Sequence, residues 1–212
     1  MNEFNPKETL KGQDVYVIGG GTSVALRDLT ALRGKPVIGL NQAFAVIPEV
    51  IDYCIFGDTA FFHFLMKQKK LVESFKGQLI TNGPLPIGVA SYEGVQTFGR
   101  APFMDKGKNF GWYGNTGILG IELAITLGAK RIYLLGYDNY NKDGKSHYHN
   151  YHKSEVSERA LNMFQDQFTR ANKVWSIDYP EVEIINLNPN SRLDMFKKKS
   201  GRRHLKGLKN EC

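Results

Sequence analysis

The sequence predicts a doubly wound α/β fold, with a mostly parallel sheet and helices on both of its faces. Short apolar runs bounded by glycine, proline or polar residues alternate with amphipathic segments along most of the chain. This alternation is typical of βαβ units, whose parallel strands are buried by helices on both sides. Since no internal repeat or linker interrupts the pattern, we expect residues 1–196 to form a single Rossmann-like domain.

The expected elements follow from the period of the apolar residues and from capping signals. Strands are predicted at 14–18, 36–40, 51–56, 78–81, 131–135 and 183–187, with one more near 95–98. Helices are predicted at 23–33, 42–47, 59–75, 116–127, 154–172 and 190–196. The stretch 82–115 is long for a connection and rich in glycine, proline and aromatic residues, which is typical of lids and binding segments.

Composition restricts the class of protein. The chain has 212 residues, of which 42% are hydrophobic, which is enough for a sizeable core. Its two cysteines, Cys54 within an apolar run and Cys212, form no disulfide framework, and this favours a reducing compartment. The first residues have no signal-peptide pattern, and no apolar run reaches the roughly 18 residues of a membrane span. We therefore expect a cytoplasmic protein.

The net charge of +7 is concentrated in one segment. Residues 197–212 contain seven Lys or Arg and one Glu, so the remaining 196 residues have a net charge of +1. We interpret 197–212 as a flexible basic tail. Such a tail can contact nucleic acid or the anionic inner surface of a membrane, or it can merely aid solubility.

The segment 115–152 carries the strongest functional signal. Asn115, Thr116 and Gly117 open a predicted helix, whose positive end attracts an anion. The strand that follows ends in Gly136-Tyr137-Asp138, so the next loop leaves its carboxyl end, where ligands of open α/β sheets bind. A phosphate site beside a polar loop favours an enzyme that acts on a nucleotide-activated substrate.

A glycine turn directly follows the first predicted strand. Glycines let the backbone approach a ligand closely, and a hydroxyl after them can cap the next helix. The turn consists of Gly19, Gly20, Gly21, Thr22 and Ser23. It is neither a dinucleotide fingerprint nor a P-loop, because the third glycine and the lysine of those motifs are missing. Asn41 stands where a NAD site has an acidic residue. The turn therefore binds a nucleotide other than NAD, or it is a tight turn without a ligand.

Polar residues end three further strands at the same edge of the predicted sheet. Asn41 and Gln42 follow the second strand, Asp58 the third and Asn82 the fourth. Their amides are candidates for hydrogen bonds to a base or ribose, and the carboxylate for a sugar hydroxyl.

The loop after the central strand contains His147, His149 and His152. Metal binding is the weaker interpretation, because no cysteine accompanies the histidines. General-base catalysis is more attractive, since imidazole titrates near neutral pH and can accept a proton from an attacking hydroxyl. Tyr140, Tyr148 and Tyr151 are candidates to donate hydrogen bonds to a departing phosphate. A solvated aromatic loop without a function is the remaining interpretation.

Five blocks of the sequence, in this order, resemble the bacterial sialyltransferases of glycosyltransferase family 42 and related uncharacterised phage and bacterial proteins. The blocks are VIGGGTS at 17–23, LNQAF at 40–44, the helix–strand unit at 115–140, HNYHKSEVSERAL at 149–161 and LNPNSRLDMF at 187–196. The resemblance spans about 180 residues. It implies the sialyltransferase-like variant of the GT-A fold.

The resemblance also implies an activity, namely inverting transfer of a sugar from a nucleotide-sugar such as CMP-sialic acid, without metal or another cofactor. His152 is then the base that deprotonates the acceptor hydroxyl, of a glycan or another molecule. Tyr140 and Tyr148 stabilise the leaving phosphate, Thr116 contacts the donor, and Asn41 with the glycine turn holds the nucleotide. A homo-oligomer is compatible with this family.

This chain departs from the family pattern at several positions. The family's turn usually reads Gly-Asn-Gly-Pro-Ser, whereas here Gly20 replaces the Asn and Thr22 the Pro. His149 stands where another aromatic residue is usual. These departures leave the nucleotide and the sugar open.

Two alternatives belong to other functional classes. The first is ATP-dependent pyrophosphoryl transfer, as in archaeal pterin pyrophosphokinases of similar fold, with Asp58 and Asp138 holding Mg²⁺. The second is a non-catalytic nucleotide- or nucleic-acid-binding protein of phage type that uses the basic tail.

Overall fold

The structure is a computed structural model, and it describes residues 2–3, 8–26, 28–82, 95–97, 99–101, 109–111, 114–149 and 155–209. The strands in this part of the chain are β1 (Asn2–Glu3), β2 (Asp14–Ile18), β3 (Val37–Leu40), β4 (Tyr53–Phe56), β5 (Gln78–Thr81), β6 (Val95–Thr97), β7 (Gly99–Ala101), β8 (Asn109–Gly111), β9 (Arg131–Leu135), β10 (Glu183–Asn186) and β11 (Lys197–Lys198). Nine of them form one sheet, in the order β1-β6-β5-β4-β3-β2-β9-β10-β11, and every neighbouring pair is parallel. Strands β7 and β8 form a separate parallel pair.

The helices cover both faces of the sheet. They are α1 (Ala43–Val46), α2 (Thr59–Lys67), α3 (Lys69–Ser74), α4 (Thr116–Thr126), α5 (Glu158–Asp178) and α6 (Gly201–Lys209), with 3₁₀ helices at Thr22–Leu26, Leu29–Leu32 and Pro48–Val50. Because side chains alternate along a strand, Val15 and Val17 of β2 pack under α4 and α5, while Tyr16 and Ile18 face α2 and α6. The predicted doubly wound α/β architecture is therefore confirmed.

The order of the strands reverses between β2 and β9. From β2 the chain adds β3, β4, β5 and β6 on one side, and then returns to add β9, β10 and β11 on the other. Ile18 is in register with Leu135, so the carboxyl ends of β2 and β9 lie level. In open α/β sheets such a switch point forms a crevice between the two loops that follow these strands.

The helix predicted at 23–33 is replaced by two short 3₁₀ helices. The first is held at Ser23, whose backbone N–H and hydroxyl both donate to Asp138. The second is capped by Asp28, whose Oδ1 accepts from the Thr30 N–H at 3.1 Å. Side chains that bond to nearby backbone in this way compete with a continuous helix.

The long helix predicted at 59–75 is divided at Gln68 into α2 and α3. Its cap is Asp58, whose Oδ1 accepts from the Phe61 N–H at 2.6 Å. The helix predicted at 154–172 is α5, which begins after its cap Ser157 and continues to Asp178.

The helix predicted at 190–196 is wrong, since these residues form turns. Asn188 Oδ1 accepts from the Asn190 N–H at 3.1 Å, and Ser191 Oγ accepts from the Leu193 N–H at 3.1 Å. These side chains take the place of helical carbonyls as partners of the backbone N–H groups.

The expectation of a flexible tail is wrong for residues 197–209. Strand β11 pairs with β10, and α6 packs Leu205 and Leu208 into the core on the face of β2. Tyr16 shares a hydrogen bond of 3.0 Å with His204 Nε2. The two leucines form an apolar stripe within a basic sequence, and the charge count concealed this stripe. Residues 210–212 lie outside the described part of the chain.

Membrane-spanning helices were not expected, and among the described residues no helix is both long enough and apolar enough to cross a bilayer.

Replacing Leu205 with alanine should lower the free energy of unfolding by about 2–4 kcal/mol, because the side chain is 3% exposed and its removal leaves a cavity. Lys206→Ala is the matched control, as Lys206 is exposed on the same helix and should change stability by less than about 0.5 kcal/mol. Urea unfolding of both variants measures the difference. Equal stability of the two would mean that α6 is detached in solution.

Candidate active site

A crevice of about 280 Å³ lies at the switch point between β2 and β9. Most of the residues predicted for the site line it. These are Gly19, Gly20, Gly21, Asn41, Gln42, Asn115, Thr116, Gly117, Gly136, Tyr137, Asp138, Tyr140, His147 and His149. Thr22, Ser23, Asp58, Asn82 and Tyr148 do not line it, and Tyr151 and His152 lie outside the described residues.

The glycine turn is built against the end of β9. Gly19 N–H donates to Leu135 O and Gly21 N–H donates to Gly136 O, both at 2.8 Å. A Cβ at Gly21 would lie 2.6 Å from Gly136 O, and one at Gly19 would lie 2.9 Å from the same oxygen. Glycine is therefore required at these positions because two backbone segments meet here, whether or not a ligand also approaches the turn closely.

The Asp138 carboxylate joins three loops of the site. It is 1% exposed and accepts from Ser23 N–H at 2.8 Å, Ser23 Oγ at 2.5 Å, Thr22 Oγ1 at 3.3 Å and Asn188 Nδ2 at 2.8 Å. Thr22, Ser23 and Asp138 are all residues for which the sequence predicts ligand binding. The structure instead directs their polar groups toward one another, so that they fix the glycine turn to the end of β9.

The start of α4 forms another wall. Asn115 caps the helix, since its Oδ1 accepts from the Gly117 N–H at 2.9 Å. Tyr137 is buried and donates its hydroxyl to Gly117 O at 2.8 Å, and burial raises the pKa of Tyr137. This tyrosine thus stays neutral and positions the helix end, near which an anion is stabilised.

Asn41 and Gln42 bring unused acceptors to the crevice. Asn41 adopts a left-handed backbone conformation with φ of +49°, which asparagine tolerates better than most residues. Asn41 Oδ1 and Gln42 Oε1 are both buried and have no hydrogen-bond partner among the described residues. A buried polar atom without a partner costs free energy, and a ligand that donates a hydrogen bond would remove this cost.

Two predicted residues of this edge lie outside the crevice. Asp58 caps α2 with its carboxylate. Asn82 is 5% exposed at the end of β5 and lies beside Gly57, where an added Cβ would be 3.4 Å from Asn82 Oδ1 and 3.9 Å from Thr116 Oγ1.

The histidine loop divides its side chains between the crevice and the core. His147 and His149 line the crevice, with ring centroids 5.3 Å apart. Between them, Tyr148 turns into the core on the α2 and α6 face, and its hydroxyl has no hydrogen-bond partner among the described residues. Burial raises the pKa of Tyr148. Tyr140 lines the crevice, and its hydroxyl accepts from Asn188 Nδ2 at 3.3 Å.

The two ends of this loop are tied together. Asn141 Nδ2 donates to Val156 O at 2.7 Å, and Ser146 Oγ bridges Asn141 Oδ1 at 2.7 Å and the Val156 N–H at 2.6 Å. Ser146 and Val156 also line the crevice, and neither was predicted from the sequence. Apolar residues of α5 complete the lining, namely Leu161, Phe164 and Phe168. Their helical spacing was the signal available in the sequence.

No protein-family model matches this sequence, and no curated protein matches it significantly. Solved structures share its fold. The MAf glycosyltransferase of Magnetospirillum magneticum AMB-1 matches with a TM-score of 0.62 at 14% identity, over 99% of this chain and 38% of that one. The sialyltransferase CstII of Campylobacter jejuni, in complex with cytidine-5'-monophosphate, matches with a TM-score of 0.53 at 16% identity, over 89% of this chain and 85% of that one. A structure of monomeric CstII matches equally well, at 17% identity.

The fold is that of these glycosyltransferases. At such low identity the likeness concerns the architecture, and this chain spans little more than a third of the MAf protein's length.

Proposed function

We propose that this protein is a glycosyltransferase that uses a nucleotide-sugar donor, inverts the anomeric centre and needs no metal ion. The observation that carries the proposal is the crevice at the switch point. It combines a glycine turn, a helix N-terminus, two imidazoles and two buried acceptors without partners. Structural neighbours with this architecture are glycosyltransferases, and one of them was solved with a cytidine nucleotide.

The donor is expected to bind with its nucleotide along the glycine turn. Asn41 Oδ1 and Gln42 Oε1 then accept hydrogen bonds from the base or ribose. The phosphate lies near the start of α4, where the helix dipole and backbone N–H groups favour negative charge. CMP-sialic acid is the first donor to test, because of the sequence resemblance and the cytidine ligand of the neighbour.

In the reaction, the acceptor hydroxyl attacks the anomeric carbon, and the bond from that carbon to the phosphate oxygen breaks. The electron pair stays on the phosphate, and a general base takes the proton of the hydroxyl. His152 remains our candidate for this base, from the sequence resemblance. Tyr140, at the crevice, is a candidate donor to the leaving group.

Pyrophosphoryl transfer with Mg²⁺ is less well supported. The carboxylates proposed as ligands are engaged elsewhere: Asp58 caps α2, and both oxygens of Asp138 accept hydrogen bonds. Among the described residues no group of three or more His, Cys, Asp or Glu side chains is placed to hold a metal ion.

Release of nucleotide from a donor panel tests the proposal. The protein is incubated with CMP-sialic acid, UDP-sugars and GDP-sugars, with and without EDTA, and the products are separated by chromatography. We expect release from one donor class, unaffected by EDTA. Release from ATP that EDTA abolishes would instead identify the pyrophosphokinase alternative, and no release from any donor would overturn the proposal.

Gln42→Ala should weaken binding of the active donor roughly tenfold, the effect of losing one buried hydrogen bond to a ligand. Gln13→Ala is the control, since Gln13 is exposed before β2, at the opposite edge of the sheet, and should leave the affinity unchanged. Isothermal titration with the nucleotide product measures both variants. Equal affinities would show that the Gln42 acceptor is not used.

Other expected partners stay predictions. Exposed basic residues of 197–209, among them Lys199, Arg202, Arg203 and Lys206, are candidates for contact with an anionic membrane surface or nucleic acid. A steep salt dependence of binding would be the sign of either contact. The cytoplasmic location and a homo-oligomeric state also remain to be measured.

A further inference from the structure

We infer that His147 contacts the phosphate of the bound donor and stabilises it as the leaving group, the role that the sequence assigned to Tyr148. This inference rests on the proposed function and names one residue of the same site. Three observations carry it: the side-chain directions in the histidine loop, the contact of His147 with Gly20, and the charges around the crevice.

The loop separates the two candidates. Tyr148 is half-buried, packs its ring against the apolar cluster on the α2 and α6 face, and does not line the crevice. His147, its neighbour, lines the crevice. The Tyr148 hydroxyl is buried and does not line the crevice, so the tyrosine side chain would have to move before it could reach a phosphate there. The imidazole needs no such movement.

The His147 imidazole occupies the space that the missing side chain of Gly20 leaves open. A Cβ at Gly20 would lie 2.6 Å from His147 Cδ2 and 3.4 Å from His147 Nε2, so the ring rests directly on the glycine turn. The backbone supports this contact, since the Tyr148 N–H donates to Gly20 O at 3.0 Å. Any side chain at position 20 would compete with the His147 ring for the same space. The position of the His147 ring in the crevice therefore depends on glycine at position 20.

The crevice is suited to a phosphate at this point. Asp138 is the one carboxylate among its described lining residues, and four hydrogen bonds already occupy its oxygens. A phosphate would meet the His147 ring and the start of α4 without a competing free carboxylate. Donors held in place before the reaction stabilise the charge that develops on a leaving oxygen.

The step requires no proton from His147. When the bond from the anomeric carbon to the phosphate oxygen breaks, the electron pair remains on that oxygen. A ring N–H of His147 donates a hydrogen bond to the phosphate. The new bond forms between the acceptor oxygen and the anomeric carbon, and the acceptor's proton passes to the general base, which is a different group.

The test compares nucleoside monophosphates with their nucleosides, using CMP, UMP, GMP and AMP. Titration calorimetry gives the ratio of the two affinities, which measures the phosphate contact without any turnover. In His147→Gln we expect this ratio to fall about tenfold, while nucleoside affinity stays unchanged. With an active donor, kcat should fall about 100-fold, within the range for loss of one transition-state hydrogen-bond donor. Tyr148→Phe is the matched control and should alter neither quantity, because its hydroxyl has no hydrogen-bond partner among the described residues.

Gly20→Ala provides a second variant, since its methyl group must displace the ring. Gly20→Ala should lower the ratio of monophosphate to nucleoside affinity as His147→Gln does. The double variant should have the same ratio as Gly20→Ala alone. Thermal unfolding checks that each variant is folded, and His147→Gln decides the question if Gly20→Ala is not.

The outcomes separate this inference from the proposed function. If the wild-type protein releases nucleotide from no sugar donor while His147→Gln lowers the ratio of monophosphate to nucleoside affinity, that result supports the phosphate contact and overturns the proposed glycosyltransferase function. If the wild-type protein turns over a sugar donor, and His147→Gln changes neither kcat nor the ratio of monophosphate to nucleoside affinity, the inference about His147 is overturned and the proposed function stands. An equal loss in Tyr148→Phe, or a wild-type protein that binds monophosphates no better than nucleosides, also overturns it.

Discussion

Replacing Asp138 with alanine should lower the free energy of unfolding by about 3–5 kcal/mol and abolish nucleotide binding. The side chain is 1% exposed, and its oxygens accept four hydrogen bonds from Thr22, Ser23 and Asn188. Its removal leaves buried donors without partners, and hydrogen bonds to a charged acceptor are stronger than neutral ones. The glycine turn then keeps only its two backbone hydrogen bonds to the end of β9, which we expect to be too few to hold the wall that binds the nucleotide.

Two further variants calibrate this expectation. Asp138→Asn keeps the shape of the side chain but replaces one of its acceptor oxygens with an NH₂ group. This NH₂ group then faces a donor of Ser23, Thr22 or Asn188 without an acceptor between them. We expect the free energy of unfolding to fall by an intermediate amount, about 2–3 kcal/mol. Asp166→Ala, at an exposed carboxylate of α5, should change stability by less than about 0.5 kcal/mol. Urea unfolding gives the free energies. An Asp138→Ala protein as stable as Asp166→Ala would contradict the joining role of this carboxylate.

Replacing Glu122 with glutamine should remove a large pH dependence of stability. Glu122 is fully buried on α4, where its Oε2 accepts from the Gly111 N–H of β8 at 2.7 Å. Burial disfavours the charged form and raises the pKa of Glu122 to about 8. Helix α4 thus carries a carboxyl group that is protonated at neutral pH.

The direction of the effect follows from proton binding. Between pH 4.5, the ordinary value, and pH 8, the folded protein keeps a proton that the unfolded chain has released. Stability therefore falls as pH rises through this window, by about 1.4 kcal/mol per unit at most, and changes no further above pH 8. At pH 4 both states are protonated, so the group contributes no pH dependence there. The accumulated loss at pH 8 is of order 4 kcal/mol.

Urea unfolding at unit steps from pH 4 to pH 9 measures this effect. Relative to Glu122→Gln, the wild-type protein should lose stability progressively from pH 5 to pH 8. Glu181→Gln changes an exposed residue and should follow the wild-type curve. Parallel curves for wild type and Glu122→Gln would show that Glu122 ionises normally, and hence that water reaches it.

The sequence was sufficient for the main strands and for the edge of the sheet where the site lies. Runs such as Asp14–Ile18 and Arg131–Leu135 are apolar and bounded by glycine or polar residues, so their burial and order could be predicted. The loops after these strands then had to meet at one edge, because parallel strands end together. The shortest strands, β1 and β11 among them, have two residues each and carry no such pattern.

The roles of individual side chains could not be predicted in the same way, because they depend on partners far away in the chain. Asp138 was selected as a ligand-binding residue, but its partner Asn188 lies 50 residues later. Tyr148 and His147 are neighbours that can both donate a hydrogen bond, and only the folded chain shows that His147 lines the crevice while Tyr148 packs against the apolar cluster. The packing of α6 was concealed for a simpler reason: Leu205 and Leu208 have helical spacing, but they lie within the strongly basic segment 197–212.

The packing of α6 has a consequence for biosynthesis. His204 lies against Tyr16 and Tyr133, with ring centroids 5.8 Å and 4.3 Å apart, so a late segment shields aromatic rings on two central strands. While residues 201–209 are still inside the ribosome, this aromatic surface stays exposed to other nascent chains. Synthesis from the N-terminus therefore leaves this aromatic surface uncovered until α6 emerges, and chaperone capture should be strongest before that point.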